Sequence, residues 1–199
     1  MSLHVTSLKE LRFKRAFRAT VHQQYDFSCG SAALATLLTY HYGRPVTEQQ
    51  VFQVMYQNGN QARIREVGFS MLDMKLYLEA NGFPADGFEA SIEQMQNAGV
   101  PAIVLLQDNG YNHFVVLKGI RQKQVLVGDP ALGSRIIPVE DFKAKWPSKI
   151  AFVITGASAP ALFNTSADWN SGTTIPLGSA ISRESLAAVT LLLPRGRDF

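Results

Sequence analysis

The single cysteine of this 199-residue chain, Cys29, lies where a polar loop meets a run of small residues that favours a helix. A helix N-terminus carries partial positive charge and unpaired backbone N–H groups, which stabilise a thiolate and can also hold an oxyanion. A free cysteine more often packs as a small buried hydrophobe. The position of Cys29 is therefore suited to nucleophilic catalysis, provided that a base lies within its reach.

A cysteine nucleophile needs a base, and the base needs a group that orients it. Of the four histidines, His41 would lie about 18 Å from the thiol by helical rise, which is too far. His113 begins an apolar segment of strand length, where its ring can face a helix N-terminus across a cleft. Asp129 ends the next such segment, and antiparallel pairing would bring His113 and Asp129 together. Asp129 would then orient the imidazole, although an Asp-Pro pair more often only initiates a turn.

A side-chain amide upstream of the nucleophile could complete an oxyanion hole with the backbone N–H of Cys29. Two adjacent residues, Gln23 and Gln24, offer such an amide. Their spacing from the cysteine does not separate them, and a glutamine in a polar loop is most often simply solvated. From the residues alone, the oxyanion donor stays open between the two.

A metal site is the least favoured interpretation of the same side chains. Cys29, His113 and Asp129 could bind zinc, but no CxxC or HxxxH spacing accompanies them. A structural zinc ion normally has four ligands. We therefore expect neither a metal nor another cofactor.

The composition describes a chain that can form a hydrophobic core. Hydrophobic residues make up 46% of the chain, and the formal net charge is +3 with histidine neutral. This basic excess is too small and too scattered to indicate a nucleic-acid partner. No stretch reaches the roughly 18 apolar residues of a membrane helix, so we expect no transmembrane segment. No signal peptide is visible in the sequence.

Helical patterns come first along the chain, and strand patterns come later. A helix is predicted over Cys29–His41, and three more are predicted to begin near the capping residues Thr47, Ser70 and Ser91. The period then changes to short apolar runs between turn residues, at 102–106, 114–117, 124–127, 135–137 and 150–154. This order predicts an α+β domain in which an antiparallel sheet packs on the N-terminal helices.

Both ends of the chain lie outside this pattern. Residues 1–20 are predicted as a basic N-terminal segment that is amphipathic or strand-like, and residues 21–155 as the folded domain. Residues 156–199 are predicted as a low-complexity tail, because Ala, Ser, Asn, Thr, Gly and Pro dominate its beginning. Within that tail, Arg183–Leu193 could form a short helix or strand.

The order of these residues resembles that of the bacteriocin-processing cysteine peptidases, papain-like enzymes that cut leader peptides after a double glycine. The shared pattern comprises Gln23, Cys29-Gly30, His113-Phe114-Val115-Val116 and Asp129-Pro130-Ala131-Leu132-Gly133. The family's glutamine falls six residues before the cysteine, which selects Gln23 over Gln24. The resemblance implies a papain-like fold over about residues 21–154, with Cys29, His113 and Asp129 as catalytic residues and Gln23 in the oxyanion hole.

Within that family, the chain most resembles the stand-alone peptidases of functional-amyloid secretion operons. The resemblance implies a cysteine endopeptidase that cuts polypeptides after Gly-Gly or Gly-Ala. It further implies a periplasmic location, and the substrate could be an amyloid subunit or a component of a secretion system. The chain departs from most members because it has no Walker A motif and carries Phe27-Ser28 where many have an acidic residue before the cysteine.

Two alternative functions stay open at this point. The same thioester chemistry could transfer an acyl group to an amine instead of to water. The protein could also be a non-enzymatic peptide-binding accessory of secretion, which the basic segment and the tail would suit.

Overall fold

The computed structural model describes residues 7–108, 110–156 and 162–172 of the chain. Most of its helices precede most of its strands, as the sequence predicts for an α+β protein. The helices are α1 (Leu8–Ala16), α2 (Cys29–Tyr40), α3 (Glu48–Asn58), α4 (Gln61–Val67), α5 (Met71–Ala80), α6 (Ile92–Ala98), α7 (Val139–Lys145) and α8 (Ser166–Ser171). The strands are β1 (Ala85–Glu89), β2 (Ala102–Asp108), β3 (Tyr111–Arg121), β4 (Gln124–Asp129), β5 (Gly133–Pro138) and β6 (Ile150–Ile154).

The strands form one sheet in the order β1-β6-β2-β3-β4-β5, and every neighbouring pair is antiparallel. Side chains alternate between the two faces of the sheet, which divides the core into two layers. Phe114 and Val116 of β3 face the layer that contains α2. Val115 and Leu117 face the opposite layer, which α6 and α7 cover. The predicted antiparallel sheet packed on N-terminal helices is therefore present.

Helix α2 occupies the centre of the helical layer. Its residues are buried from Cys29 to Leu38, and it contacts α3, α5 and β3. The small residues of α2 permit this close packing. A Cβ atom placed on Gly30, for example, would lie 3.1 Å from the Cβ of Phe69. Packing on β3 fixes the position of α2 relative to the sheet.

The predicted helix starts at Thr47, Ser70 and Ser91 are confirmed. Each of these residues is an N-cap whose side chain accepts a hydrogen bond from the third helical residue, and each pair completes a reciprocal capping box. Such caps satisfy backbone N–H groups that the first helical turn leaves without partners. The local sequence therefore determines where α3, α5 and α6 begin.

The sequence patterns do not predict α4 or β1, and they make β3 too short. Strand β1, Ala85–Glu89, contains Asp, Gly and Glu and lies at the edge of the sheet, where β6 alone pairs with it. Strand β3 begins at Tyr111 instead of Phe114, because its polar first residues pair with the end of β2. Tertiary pairing thus extends strands beyond their hydrophobic runs.

The first and last described helices, α1 and α8, both contact strand β5. The N-terminal segment forms the helix α1 rather than a strand, and Arg15 donates a hydrogen bond to the carbonyl oxygen of Asn170 at 2.6 Å. Phe163, within the predicted tail, is 4% exposed and belongs to the core of the helical layer. The predicted element at Arg183–Leu193 lies outside the described residues. No helix in the described ranges is both long and apolar enough to cross a membrane.

Candidate active site

Cys29 is the first residue of α2 and is 6% exposed. The preceding residue, Ser28, is the N-cap of this helix, but its side chain makes no capping hydrogen bond. The Ser28 hydroxyl instead donates to the carbonyl oxygen of Tyr25 at 3.0 Å. No serine cap therefore competes for the backbone N–H groups of the first turn, which lie beside the thiol.

The start of β3 and the end of β4 bring His113 and Asp129 together. The Nε2 atom of His113 lies 2.9 Å from Oδ1 of Asp129, and both side chains are buried. The antiparallel register of the two strands sets this pairing, since Val116 lies opposite Gly128. The contact between His113 and Asp129 is the one that the strand pattern predicts.

Both oxygen atoms of Asp129 accept hydrogen bonds that stabilise its anionic form. Oδ1 also accepts the backbone N–H groups of Ala131 and Leu132, at 2.9 and 3.1 Å. Oδ2 accepts a hydrogen bond from the buried guanidinium of Arg135 at 3.2 Å. Burial would raise the pKa of Asp129, but the charge and hydrogen bond of His113, followed by Arg135, lower it below the usual 3.8.

The opposite nitrogen of His113 is available to the thiol. Because Nε2 is on Asp129, the buried Nδ1 is the ring nitrogen that remains for the Cys29 side chain, with which His113 interacts. Burial lowers the pKa of His113, but the charge of Asp129 and its hydrogen bond outweigh this effect, and Cys29 adds to the increase. The pKa is therefore raised, which favours an imidazolium that is hydrogen-bonded to Asp129 and interacts with Cys29.

The structure distinguishes the two glutamines that the residue spacing leaves equivalent. Gln23 is buried, whereas Gln24 is exposed. The backbone N–H of Gln23 donates to the carbonyl oxygen of Pro130 at 2.9 Å, which joins this loop to the residue after Asp129. One side-chain N–H of Gln23 donates to the carbonyl oxygen of Tyr25 at 3.1 Å. The second N–H of that amide group is free to donate to an oxyanion.

Tyr111 connects the sheet to the loop that precedes Cys29. Its hydroxyl donates to the carbonyl oxygen of Asp26 at 3.1 Å, and its ring stacks on His113 with a centroid separation of 6.0 Å. Burial, with smaller contributions from Cys29 and Asp26, raises the pKa of Tyr111 to about 12. Its hydroxyl thus remains a neutral donor near the thiol.

The residue pattern does not identify Arg135 and Tyr111 as site residues. The sequence places Arg135 only in the predicted strand 135–137, and Tyr111 only in the turn before His113. Each lies two residues from a buried strand residue, Ile137 or His113, and this spacing is a usable signal because such residues share one face of the sheet. His41 lies at the opposite end of α2 and packs on Phe163, so it takes no part in the site. The described ranges contain no group of three or more His, Cys, Asp or Glu residues that could hold a metal ion.

Comparisons with known proteins give the family of this chain. The model of the Peptidase C39 family matches residues 18–158. The chain is 43% identical to the "Probable functional amyloid protease FapD" of Pseudomonas aeruginosa over 152 residues, which cover 76% of this chain and 65% of that relative. The match thus spans somewhat less than two thirds of the relative's length.

Two solved structures share the fold. The peptidase domain of Streptococcus ComA aligns with a TM-score of 0.58 at 20% identity, over 68% of this chain and 96% of that domain. A double glycine motif protease from an AMS/PCAT transporter, solved with its leader peptide, aligns with a TM-score of 0.56 at 27% identity, over 71% of this chain and 90% of that one. The predicted papain-like α+β fold is therefore confirmed. Since the family model matches residues 18–158, well over half of the chain, the chain belongs to the Peptidase C39 family.

Proposed function

We propose that this protein is a cysteine peptidase in which Cys29 is the nucleophile, His113 the general base and acid, and Asp129 the group that orients His113. The observation that carries the proposal is the placement of a buried His113–Asp129 pair against a cysteine at the start of α2. Membership of the Peptidase C39 family supports the same reaction class.

The reaction starts from the thiolate–imidazolium pair that forms when the thiol proton of Cys29 moves to Nδ1 of His113. The thiolate attacks the scissile carbonyl carbon, a carbon–sulfur bond forms, and the carbonyl electron pair moves to oxygen. The backbone N–H of Cys29 and the side-chain amide of Gln23 donate hydrogen bonds to this oxyanion. The tetrahedral intermediate then expels the amine, which takes the proton from His113. Water, deprotonated by His113, hydrolyses the remaining thioester and regenerates the thiol.

We further propose that the substrate is a polypeptide with two small residues, Gly-Gly or Gly-Ala, before the scissile bond. The double glycine motif protease with its leader peptide supports this substrate class by similarity. The burial of Cys29 also supports it, because residues without large side chains approach a recessed sulfur most closely.

The biological setting of the proposal is secretion of a functional amyloid in the periplasm. The relative named as a functional amyloid protease supports an amyloid subunit or another secretion component as the substrate. The location rests on the resemblance to peptidases of amyloid secretion operons. Fractionation of cells that express the tagged full-length protein tests it, and exclusive recovery with the cytoplasmic fraction would contradict it.

The enzymatic proposal is tested by cleavage of a peptide that contains one Gly-Gly pair. We expect the wild-type protein to cut after the second glycine and Cys29→Ala to be inactive. His113→Ala should be inactive as well, whereas the control His22→Ala, which alters a histidine outside the site, should keep the wild-type rate. Cleavage by Cys29→Ala at the wild-type rate would contradict the proposal. Mass spectrometry with an added amine separates hydrolysis, which gives a free carboxylate, from acyl transfer, which gives an amide.

A further inference from the structure

A second buried acid lies beside the start of α2. Glu48, the first residue of α3, is 3% exposed. Its Oε1 atom lies 3.0 Å from the hydroxyl of Ser31, and its Oε2 atom has no hydrogen-bond partner among the described residues. No described cation lies within ion-pair distance of this carboxyl group. Such an environment strongly disfavours a carboxylate.

The hydrogen count at Ser31 indicates the protonation state of Glu48. The Ser31 hydroxyl has one hydrogen but lies near two acceptors, the carbonyl oxygen of Ser28 at 2.9 Å and the Glu48 carboxyl at 3.0 Å. Both contacts are full two-centre hydrogen bonds when Glu48 is protonated and donates to Ser31, whereas an ionised Glu48 would have to share the single hydroxyl hydrogen with Ser28. Burial raises the pKa of Glu48, and the hydrogen bond with Ser31, together with the nearby Ser28 hydroxyl, opposes that increase only in part.

Ser28 links Glu48 to the oxyanion side of the candidate active site. Ser28 immediately precedes Cys29, and its carbonyl oxygen accepts the hydroxyl of Ser31, which also contacts Glu48. The Ser28 hydroxyl donates to the carbonyl oxygen of Tyr25, which also accepts the side-chain amide of Gln23. When Glu48 is neutral, the Ser28 hydroxyl keeps its hydrogen bond to the carbonyl oxygen of Tyr25, and this bond helps to fix the loop. An ionised Glu48 would attract the hydroxyl hydrogens of both serines and withdraw them from these carbonyl oxygens.

The charge of an ionised Glu48 would also disfavour catalysis, in addition to its effect on the serine hydrogen bonds. The first turn of α2 stabilises negative charge through its N–H groups. A carboxylate at Glu48 would compete for that stabilisation with the thiolate of Cys29 and with the oxyanion of the reaction. When Glu48 is protonated, the N–H groups of α2 stabilise only the negative charge of the thiolate and the oxyanion.

The ionisable side chains of the elements around Glu48 do not bond to it, and several of them have other partners. Arg65 donates to Tyr56, Lys75 pairs with Glu79 and Asp86, and Asp73 accepts from Ser70. The remaining ionisable groups of the loop 23–28 and of helices α2, α4 and α5 make no hydrogen bond or ion pair with Glu48 in the described structure: Tyr25, Asp26, Cys29, Tyr40, Arg63, Glu66 and Tyr77.

We propose that Glu48 is a positioning residue that acts as a neutral acid: through Ser28 and Ser31 it fixes the loop that carries Gln23, and its ionisation weakens catalysis. This inference rests on the proposed peptidase function. It assigns to α3 a part in a site whose reacting groups lie on other elements.

The test compares Glu48→Gln with Glu48→Ala across pH, using the double-glycine peptide and the full chain. The amide of Glu48→Gln keeps a hydrogen-bond donor and cannot ionise. We expect its kcat at acidic pH to match that of the wild type, and its alkaline decline to begin at higher pH. Glu48→Ala should lose roughly 10- to 100-fold in kcat with little change in KM, because the loop loses its support. The control Glu93→Gln changes an exposed acid in the first turn of α6 and should leave the pH profile unaltered.

The outcomes separate this inference from the proposed function. Superimposable pH profiles of the wild type and Glu48→Gln would overturn the inference, even if Cys29→Ala is inactive. Equal losses in Glu48→Gln and Glu48→Ala would also overturn it, because they would show that a neutral hydrogen-bond donor at this position does not support the loop. Retained activity in Cys29→Ala would instead remove the proposed function. Thermal unfolding of each variant identifies any loss that comes from misfolding.

Discussion

The guanidinium of Arg135 lies 3.2 Å from Oδ2 of Asp129, and both side chains are almost completely buried. The Nε2 atom of His113 lies 2.9 Å from Oδ1, the other oxygen of the same carboxylate. Asp129 therefore lies between two positive groups when His113 is protonated. In this arrangement Arg135 holds Asp129 as an anion, and Asp129 in turn holds the orientation of His113.

Replacement of Arg135 by methionine tests this relationship. We expect the free energy of unfolding to fall by about 3–5 kcal/mol, because Asp129 would stay buried with one cationic partner fewer. The value of kcat should also fall, since Asp129 would no longer be held on both sides. Urea denaturation and peptide cleavage measure the two effects. Arg63→Met, which alters an exposed arginine of α4, is the control, and equal stability of the two variants would contradict the assignment.

Replacement of Asp129 by asparagine should lower kcat by roughly 100-fold or more, because the amide neither stabilises the imidazolium nor fixes its orientation. The peptide assay measures this loss. Asp141→Asn, which changes an exposed acid of α7, is the matched control. Wild-type kcat in Asp129→Asn would remove Asp129 from the mechanism.

The His113–Asp129 pair also predicts how stability depends on pH. The pKa of Asp129 is lowered, so its contribution is complete above the unfolded value of 3.8 and is lost as pH falls through the folded value. The pKa of His113 is raised, so its contribution is complete below 6.5 and is lost as pH rises through the folded value. The stability difference between the wild type and His113→Ala should therefore be largest between these two unfolded values. Chemical denaturation at several pH values measures it, and a difference that grows above this window would contradict the charge assignment.

Gln23→Ala should lower kcat by roughly 10²- to 10³-fold with little change in KM, because its amide is proposed to bind the oxyanion only after attack. Steady-state kinetics with the double-glycine peptide give both constants. The exposed neighbour Gln24 supplies the control, and Gln24→Ala should behave as the wild type does. A larger loss in Gln24→Ala than in Gln23→Ala would reverse the assignment.

The burial of Phe163 predicts that residues after 156 contribute to the stability of the domain. Phe163→Ala should lower the free energy of unfolding by about 3–5 kcal/mol, as removal of a buried aromatic side chain does. Leu162→Ala, at a residue that is 46% exposed, should have little effect. Thermal or urea unfolding of both variants makes the comparison, and an unaffected Phe163→Ala would limit the stable unit to the predicted residues 21–155.

Local signals account for the elements that the sequence predicts correctly. The capping residues Thr47, Ser70 and Ser91 act on their own helices, so a single sequence contains the information that places them. The apolar runs of β2 to β6 are equally local. Strand β1 and the first residues of β3 are stabilised by their partner strands, and no local pattern could reveal them.

The same distinction applies to the candidate site. His113 and Asp129 lie on consecutive antiparallel strands, so their proximity follows from the order of the strands. The contact of Tyr111 with Asp26 joins residues 85 positions apart, and that of Glu48 with Ser31 depends on how two consecutive helices pack, which no residue pattern specifies. Their side chains gain a role only from the way in which α3 and β3 pack around the start of α2.

The most direct test of the central claim is the mass of the enzyme during turnover of the double-glycine peptide. We expect acid quenching to capture an acyl adduct on the wild-type protein. The adduct should map to Cys29, and its formation and decay should match the cleavage rate. Cys29→Ala should carry no adduct and release no product. Product formation by Cys29→Ala at the wild-type rate, with no adduct on either protein, would contradict the account.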